Sequence, residues 1–171
     1  KAIAAAEKIQ ISDASLLAIA REGDGSMRDS MTLLDQVIAF GGEQIRDEQV
    51  AEVLDLLDRR ILIAILEACI DANPQAALEA CARATDSGVD AKRLGGELLQ
   101  VLRDLVVLRT VPKQEGLVEG SDAEIAALRA LAERAEEARL RRMFRALLKD
   151  QEDLAWAPQP MAVLEMAVIR M

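Results

Sequence analysis

Between Asp90 and Pro112 lies a run that decides what this chain can fold into. Leu94, Leu98, Leu99, Val101, Leu102, Leu105, Val106 and Leu108 recur at helical spacing and cover more than one face. A helix apolar that far round is enclosed on several sides, so other helices must surround it. The alphabet agrees: hydrophobic residues make up 51% of the chain but aromatics only 2%, and there is no Tyr. Ala and Leu, with Glu and Arg on the polar side, favour helix and leave little strand vocabulary. The expected fold class is all-α, a small helical unit followed by a helical bundle.

Punctuation marks the other helices. Residues 1 to about 9 read as the tail of a helix, and Ser12-Asp13 caps a second over Ala14–Arg21, with Leu16, Leu17 and Ile19 for burial. After the turn Glu22-Gly23-Asp24-Gly25, Ser26 is the natural N-cap of a third helix, and Asp29 stands where it can bond back to the cap. Met27, Met31, Leu34, Val37 and Ile38 form its buried face, and Gly41-Gly42 ends it. Asp47 caps a fourth, to about Leu56, with Val50, Val53, Leu54 and Leu57 on one side. A boundary falls at 55–60, after which the helices lengthen and pair.

Ile61–Asp71 is strongly apolar, and Asn73-Pro74 is a cap followed by proline at the first helical position, so these two helices form an antiparallel hairpin. Beyond the 91–110 helix and a connector, Ser121-Asp122-Ala123-Glu124 fits the capping box. That helix runs to about Glu136, with a break near Glu137 before another over Ala138–Leu154. Pro158 and Pro160 separate it from a last apolar helix, Met161–Met171.

Several functions are excluded. With no His, Ser-His-Asp and Cys-His catalysis and His-containing zinc sites are impossible within the chain. A net charge of −9 argues against a generally DNA-coated surface. No phosphate-cradling Gly-x-x-x-x-Gly-Lys-Ser/Thr loop occurs, and no carboxylate spacing suggests a metal cage or an acid–base pair. Cys69 and Cys81 read as buried thiols in a reducing compartment, not a disulfide. No apolar run is long enough to span a membrane, so a cytoplasmic location is expected. The chain opens in mid-helix without Met and is expected to be a piece of something longer.

The candidate site is the first turn of the third helix. A helix amino end is already electropositive and usually attracts Asp or Glu. Arg28 makes it more so, as would suit a docked anion; alternatively, Arg28 pairs with Asp24 or Asp29. A second candidate is the basic face Arg139, Arg141, Arg142, Arg145 and Lys149, opposite Leu140, Met143, Phe144, Leu147 and Leu148. It reads as a solvated face, or as a contact for an acidic partner or phosphate. Met161, Met166 and Met171 read as core or interface filler, and Trp156 as an interface anchor or a cap on the bundle.

Gly25-Ser26-Met27-Arg28-Asp29 running into Leu33-Leu34-Asp35-Gln36 closely resembles the sensor-2 helix of AAA+ clamp loaders, and residues 11–20 resemble the family's lid. Leu154-Ala155-Trp156-Ala157-Pro158, then Met161 and Leu164-Glu165-Met166, is similar to the close of its third domain. The resemblance implies that residues 1–55 are the later part of the lid (domain II) and 58–171 the collar (domain III). It implies that Arg28 reaches the terminal phosphates of ATP, with Mg, held mainly by an upstream domain I. Ser26 and Met27 would be first-turn positions near the nucleotide. No catalytic residue and no metal ligand is expected here, and no ATPase activity or bound cofactor in the chain alone. The implied function is ATP-driven loading of the sliding clamp onto primed DNA in replication. Implied partners are other clamp-loader subunits through the collar (further copies, delta and delta prime), and the clamp and primed DNA through other domains. A delta-prime-like subunit and a stand-alone helical adaptor are the alternatives. One departure is Asp55, where the family usually has glycine.

Overall fold

The computed structural model describes residues 2–7, 9–54, 56–113 and 116–171, with only the backbone of Ala2 and Ala6. The described residues form ten α-helices and no strand, so the all-α expectation holds. They divide into two compact units, residues 1–56 and 57–171. Asp55, at the boundary, lies outside the described residues.

The first unit contains α1 (Ala2–Ala6), α2 (Asp13–Glu22), α3 (Met27–Gly41) and α4 (Asp47–Val53). Ile19, Leu34, Val37, Ile45, Val50 and Leu54 close a small core among α2, α3 and α4. A single parallel bridge, Gln10 with Gln44, ties the segment before α2 to the one after α3. Its bonds run from the Gln10 amide to the Glu43 carbonyl at 2.8 Å and from the Ile45 amide to the Gln10 carbonyl at 2.9 Å.

Three expectations need correction here. Asp47 is not the cap of α4 but its first residue; the cap position is Arg46, whose amide donates to Gln49 Oε1 at 3.0 Å. The Asp47 carboxylate is drawn to α2 instead, accepting from Ser12 Oγ at 2.5 Å and Ser15 Oγ at 2.6 Å. Ser12 meanwhile caps α2 by accepting from the Ser15 amide at 3.0 Å. Helix α4 stops at Val53, and Leu57 packs in the second unit. Met27 is 76% exposed because, at the first position of α3, it lies past half-buried Met31 at the end of that face.

The two hydroxyl donors hold the Asp47 carboxyl below its usual range. A depressed folded-state pKa gives stability that is present above the unfolded value and lost as pH falls through the folded one. Asp47→Ala is therefore expected to cost the first unit about 1–2 kcal/mol at neutral pH, since the donors bond a charged but exposed acceptor. Thermal melts of both chains should differ at neutral pH and converge below about pH 4.

The second unit is a six-helix bundle: α5 (Arg59–Ile70), α6 (Pro74–Asp86), α7 (Ala91–Thr110), α8 (Asp122–Glu133), α9 (Glu137–Leu154) and α10 (Pro160–Arg170). Helix α7 is its axis, packed against α5, α8, α9 and α10. Leu94, Leu98, Leu102 and Leu105 are wholly buried, as a helix apolar on several sides requires. Gly95 lets α7 and α9 approach closely: a Cβ there would lie 2.8 Å from Leu154 Cδ1 and 2.9 Å from Gln151 Oε1.

The expected caps form. Asn73 Oδ1 accepts from the Ala76 amide at 3.1 Å ahead of Pro74. Asp90, expected only as part of a turn, caps α7 as well, accepting from the Lys92 and Arg93 amides at 2.9 and 3.0 Å. Ser121 and Glu124 complete their capping box, the Ser121 amide donating to Glu124 Oε2 at 2.8 Å. Helix α5 begins at Arg59, two residues before its apolar run, because Asp58 caps it through the Arg60 amide at 2.9 Å. At its other end, Arg134 pairs with Glu67 and forks onto Asp71 at 2.7 and 2.8 Å. Arg139 Nη2 donates to the Cys69 carbonyl at 2.9 Å. Cations at a helix carboxyl end oppose its partial negative charge. Helix α8 accordingly stops at Glu133, slightly short of the expected Glu136, as Arg134 turns towards α5.

The basic face is narrower than its spelling. Arg139 is half-buried on α5, and Arg141 pairs with Glu137 at 2.5 Å, which leaves Arg142, Arg145 and Lys149 as the exposed row. On the apolar side Leu148 is 51% exposed, because α9 buries Leu140, Met143, Leu147 and Leu154 on a stripe that excludes it. No helix among the described residues is long and apolar enough to cross a membrane.

Candidate functional site

The turn that delivers Arg28 is built for a sharp change of direction. Gly23 closes α2, and a Cβ there would come 2.1 Å from Ser30 Oγ, so only glycine admits α3 so near. Asp24 and Gly25 follow with φ of 44° and 77°, the left-handed region. Ser26 then caps α3, its Oγ accepting from the Asp29 amide at 3.2 Å. The expected return bond from Asp29 gives way to another: the Ser26 amide donates to the Gly23 carbonyl at 2.7 Å. Ser30 Oγ donates to the Ser26 carbonyl at 2.9 Å and locks the turn from behind.

The first turn of α3 thus presents the Met27 and Arg28 amides, which have no intrahelical partner, at its electropositive end. Met27 and Arg28 are both exposed and Ser26 is half-buried beneath them. Among the described residues Arg28 forms no salt bridge, with Asp24, Asp29 or any other carboxylate. Both acids are exposed close by, and acidic residues outnumber basic ones in residues 1–56. Arg28 is an exposed cation in an acidic setting, with no salt bridge among the described residues.

No other reactive cluster emerges. Cys69 and Cys81 are free and buried. Burial pushes Cys69 up to about 12 and Cys81 up to about 11, so both stay protonated. No group of three or more potential metal ligands occurs among the described residues. Each unit carries a shallow groove among the described residues. In the first unit it has a volume of about 490 Å³ and runs over Ile9, Met31 and Ile38, with Glu7, Asp35 and Glu43 on its rim. In the second, of about 480 Å³, Pro158, Ala162, Val163 and Met166 line it beside the Asp150–Arg170 ion pair.

Sequence reasoning missed one site, an ion cluster inside the bundle. Asp104 on α7 is 4% exposed and lies 2.9 Å from Arg103 and 3.6 Å from Arg59. Arg59 also approaches Glu124 at 3.7 Å, and Arg103 Nη1 donates to the Leu117 carbonyl at 2.6 Å. The available signal was an aspartate at a core position of an otherwise apolar helix.

Residues 1–43 match the family described as DNA polymerase III clamp loader subunit, ATPase lid domain. Residues 45–171 match DNA polymerase III subunits gamma and tau, domain III, and the chain belongs to this family. The second match begins ahead of α4, whereas α4 packs with α2 and α3 and the compact units divide after Leu56. Among the relatives, DNA polymerase III subunit tau of Bacillus subtilis is 28% identical over 165 residues, 96% of this chain and 29% of that protein. Subunit tau of Salmonella typhimurium is 29% identical over 160 residues, 91% of the chain and 24% of that protein. Escherichia coli tau is 27% identical over 156 residues, with the same two coverages. The chain therefore spans less than a third of the length of these relatives.

Proposed function

We propose that this chain supplies two parts of an ATP-driven clamp loader, the machine that places the sliding clamp on primed DNA during replication in the cytoplasm. Residues 1 to about 55 act as the later part of the lid and residues 58–171 as the collar. The observation that carries this reading is Arg28, exposed and outside any salt bridge in the first turn of α3. There it can reach the terminal phosphates of an ATP, with its Mg, that a separate nucleotide-binding domain holds. Ser26 and Met27 flank that contact. The acidic surroundings support a shared site: nucleotide binds well only where further cations offset the carboxylates around Arg28. The chain alone is expected to show no ATPase activity.

The mechanism is a ligand-biased equilibrium. ATP contacts Arg28 in the closed lid and not in the open one, so the difference in contacts favours closure. The collar unit, with its buried α7, is stiff enough to keep neighbouring subunits (further gamma or tau copies, delta and delta prime) in register. Closure at one site is then felt at the next.

The test is Arg28→Ala in the full-length parent. A bond to a charged phosphate is worth about 1.5–3 kcal/mol, so ATP-driven clamp opening should fall by roughly 10- to 100-fold. Subunit assembly, followed by size-exclusion chromatography, should not change. Full clamp opening in the variant, or loss of assembly, would count against the reading.

A further inference from the structure

The backbone at Gly23 does not itself require glycine. Its φ of −73° and ψ of −3° are ordinary right-handed helical values that any residue adopts. Alanine at such a position is normally favoured, because it leaves the unfolded chain fewer conformations to lose. What stands against it is Ser30, in the first turn of α3. A Cβ on Gly23 would lie 2.1 Å from Ser30 Oγ and 3.0 Å from both Ser30 Cβ and the Ser30 amide nitrogen. Turning the hydroxyl aside does not make room. It would break the bond from Ser30 Oγ to the Ser26 carbonyl, and the two 3.0 Å approaches, set by the helix backbone, would remain.

The same two residues close a ring around the turn that carries Arg28. The Gly23 amide donates to the carbonyl of Ile19, a core residue, at 3.1 Å. The Gly23 carbonyl accepts from the Ser26 amide at 2.7 Å. The Ser26 carbonyl accepts from the Ser30 amide at 3.0 Å and from the Ser30 hydroxyl at 2.9 Å, and that hydroxyl lies against Gly23. Met27 and Arg28 sit inside the ring. The contact between Gly23 and Ser30 therefore sets where the Arg28 backbone stands relative to the core of the unit. We propose that Gly23 and Ser30 are positioning residues for Arg28, through a contact with room for one side chain but not two. This rests on the reading that Arg28 contacts the ATP phosphates. A second side chain would wedge α3 away by roughly 1 Å, a misplacement that can cost about 100-fold where geometry must be held.

The test is a set of variants of the full-length parent, read as ATP-driven clamp opening. Gly23→Ala should lower opening by at least about tenfold, with subunit assembly unchanged. Ser30→Ala should lower it by at most about threefold, because the Ser26 carbonyl keeps the Ser30 amide. Gly23→Ala with Ser30→Ala removes the 2.1 Å approach and leaves only those of 3.0 Å, which a small shift relieves. That double variant should open clamps as well as Ser30→Ala alone. Gly23→Ala added to Arg28→Ala should lose nothing further, since both act through one contact. A Gly23→Ala protein with wild-type opening would overturn the proposal. So would a loss that Ser30→Ala does not relieve. An equal loss in the Arg28→Ala background would also overturn it, because general loosening of the unit gives that result. If Arg28→Ala itself leaves opening intact, the nucleotide reading falls and this proposal with it. If Arg28→Ala impairs opening and the Gly23 variants fail these tests, only the positioning role is wrong.

Discussion

Replacing Asp104 with alanine should lower the stability of the 57–171 unit by about 2–4 kcal/mol, near the range for breaking a buried ion pair from one side. The loss does not come mainly from Arg103. That side chain is 44% exposed, can turn into water, and keeps its bond to the Leu117 carbonyl. It comes from Arg59, whose side chain is 21% exposed and whose buried Nε has no hydrogen-bond partner. Without Asp104, its guanidinium keeps only the 3.7 Å approach to half-buried Glu124. Removing one partner leaves a desolvated charge, which costs more than the pair gained by forming. Urea denaturation followed by helical circular dichroism reads the change, with an unaltered m-value if the denatured state is the same. Asp104→Asn, which keeps the shape and can still accept a hydrogen bond, should lose less. A loss under about 1 kcal/mol for Asp104→Ala would mean that water already solvates Arg59.

Leu102→Ala should cost about 2–5 kcal/mol. Leu102 is fully buried on α7, the helix that four others in the unit touch. Truncation loses the transfer energy of its methyl groups and opens a cavity that a helix held on four sides cannot easily close. The control is Leu148→Ala on α9, which is 51% exposed and should change stability by no more than about 0.5 kcal/mol. By composition these two substitutions are the same. Equal effects in denaturant would show that the bundle is packed differently.

That contrast also marks how far the sequence could be read. Helix starts were legible wherever a short polar side chain serves its own neighbours, as Ser12, Ser26, Asn73 and Ser121 do. Their bonds span three residues, and spacing alone encodes them. Asp47 looked like another such cap, but two hydroxyls 32 and 35 residues away claimed its carboxylate. The face of α9 failed similarly. The sequence placed Leu148 on the packed face and Arg139 on the basic one, whereas the buried stripe of α9 leaves Leu148 out and a carbonyl offered by α5 draws Arg139 half in. For the candidate site, the position of Arg28 at a helix start was visible in the sequence. That it forms no salt bridge with Asp24 or Asp29 was not, because short charged side chains in one turn can be drawn paired or apart with equal ease.

The buried thiols have a practical consequence for labelling the chain. With pKa values near 12 and 11, Cys69 and Cys81 are thiolate at neutral pH in roughly one molecule in ten thousand or fewer, against a few per cent for an ordinary exposed cysteine. They are also shielded by the bundle. A single cysteine introduced at exposed Asp24, beside the first turn of α3, would therefore take a maleimide fluorophore almost alone. Within these 171 residues, the background for a reporter placed beside Arg28 is already quiet.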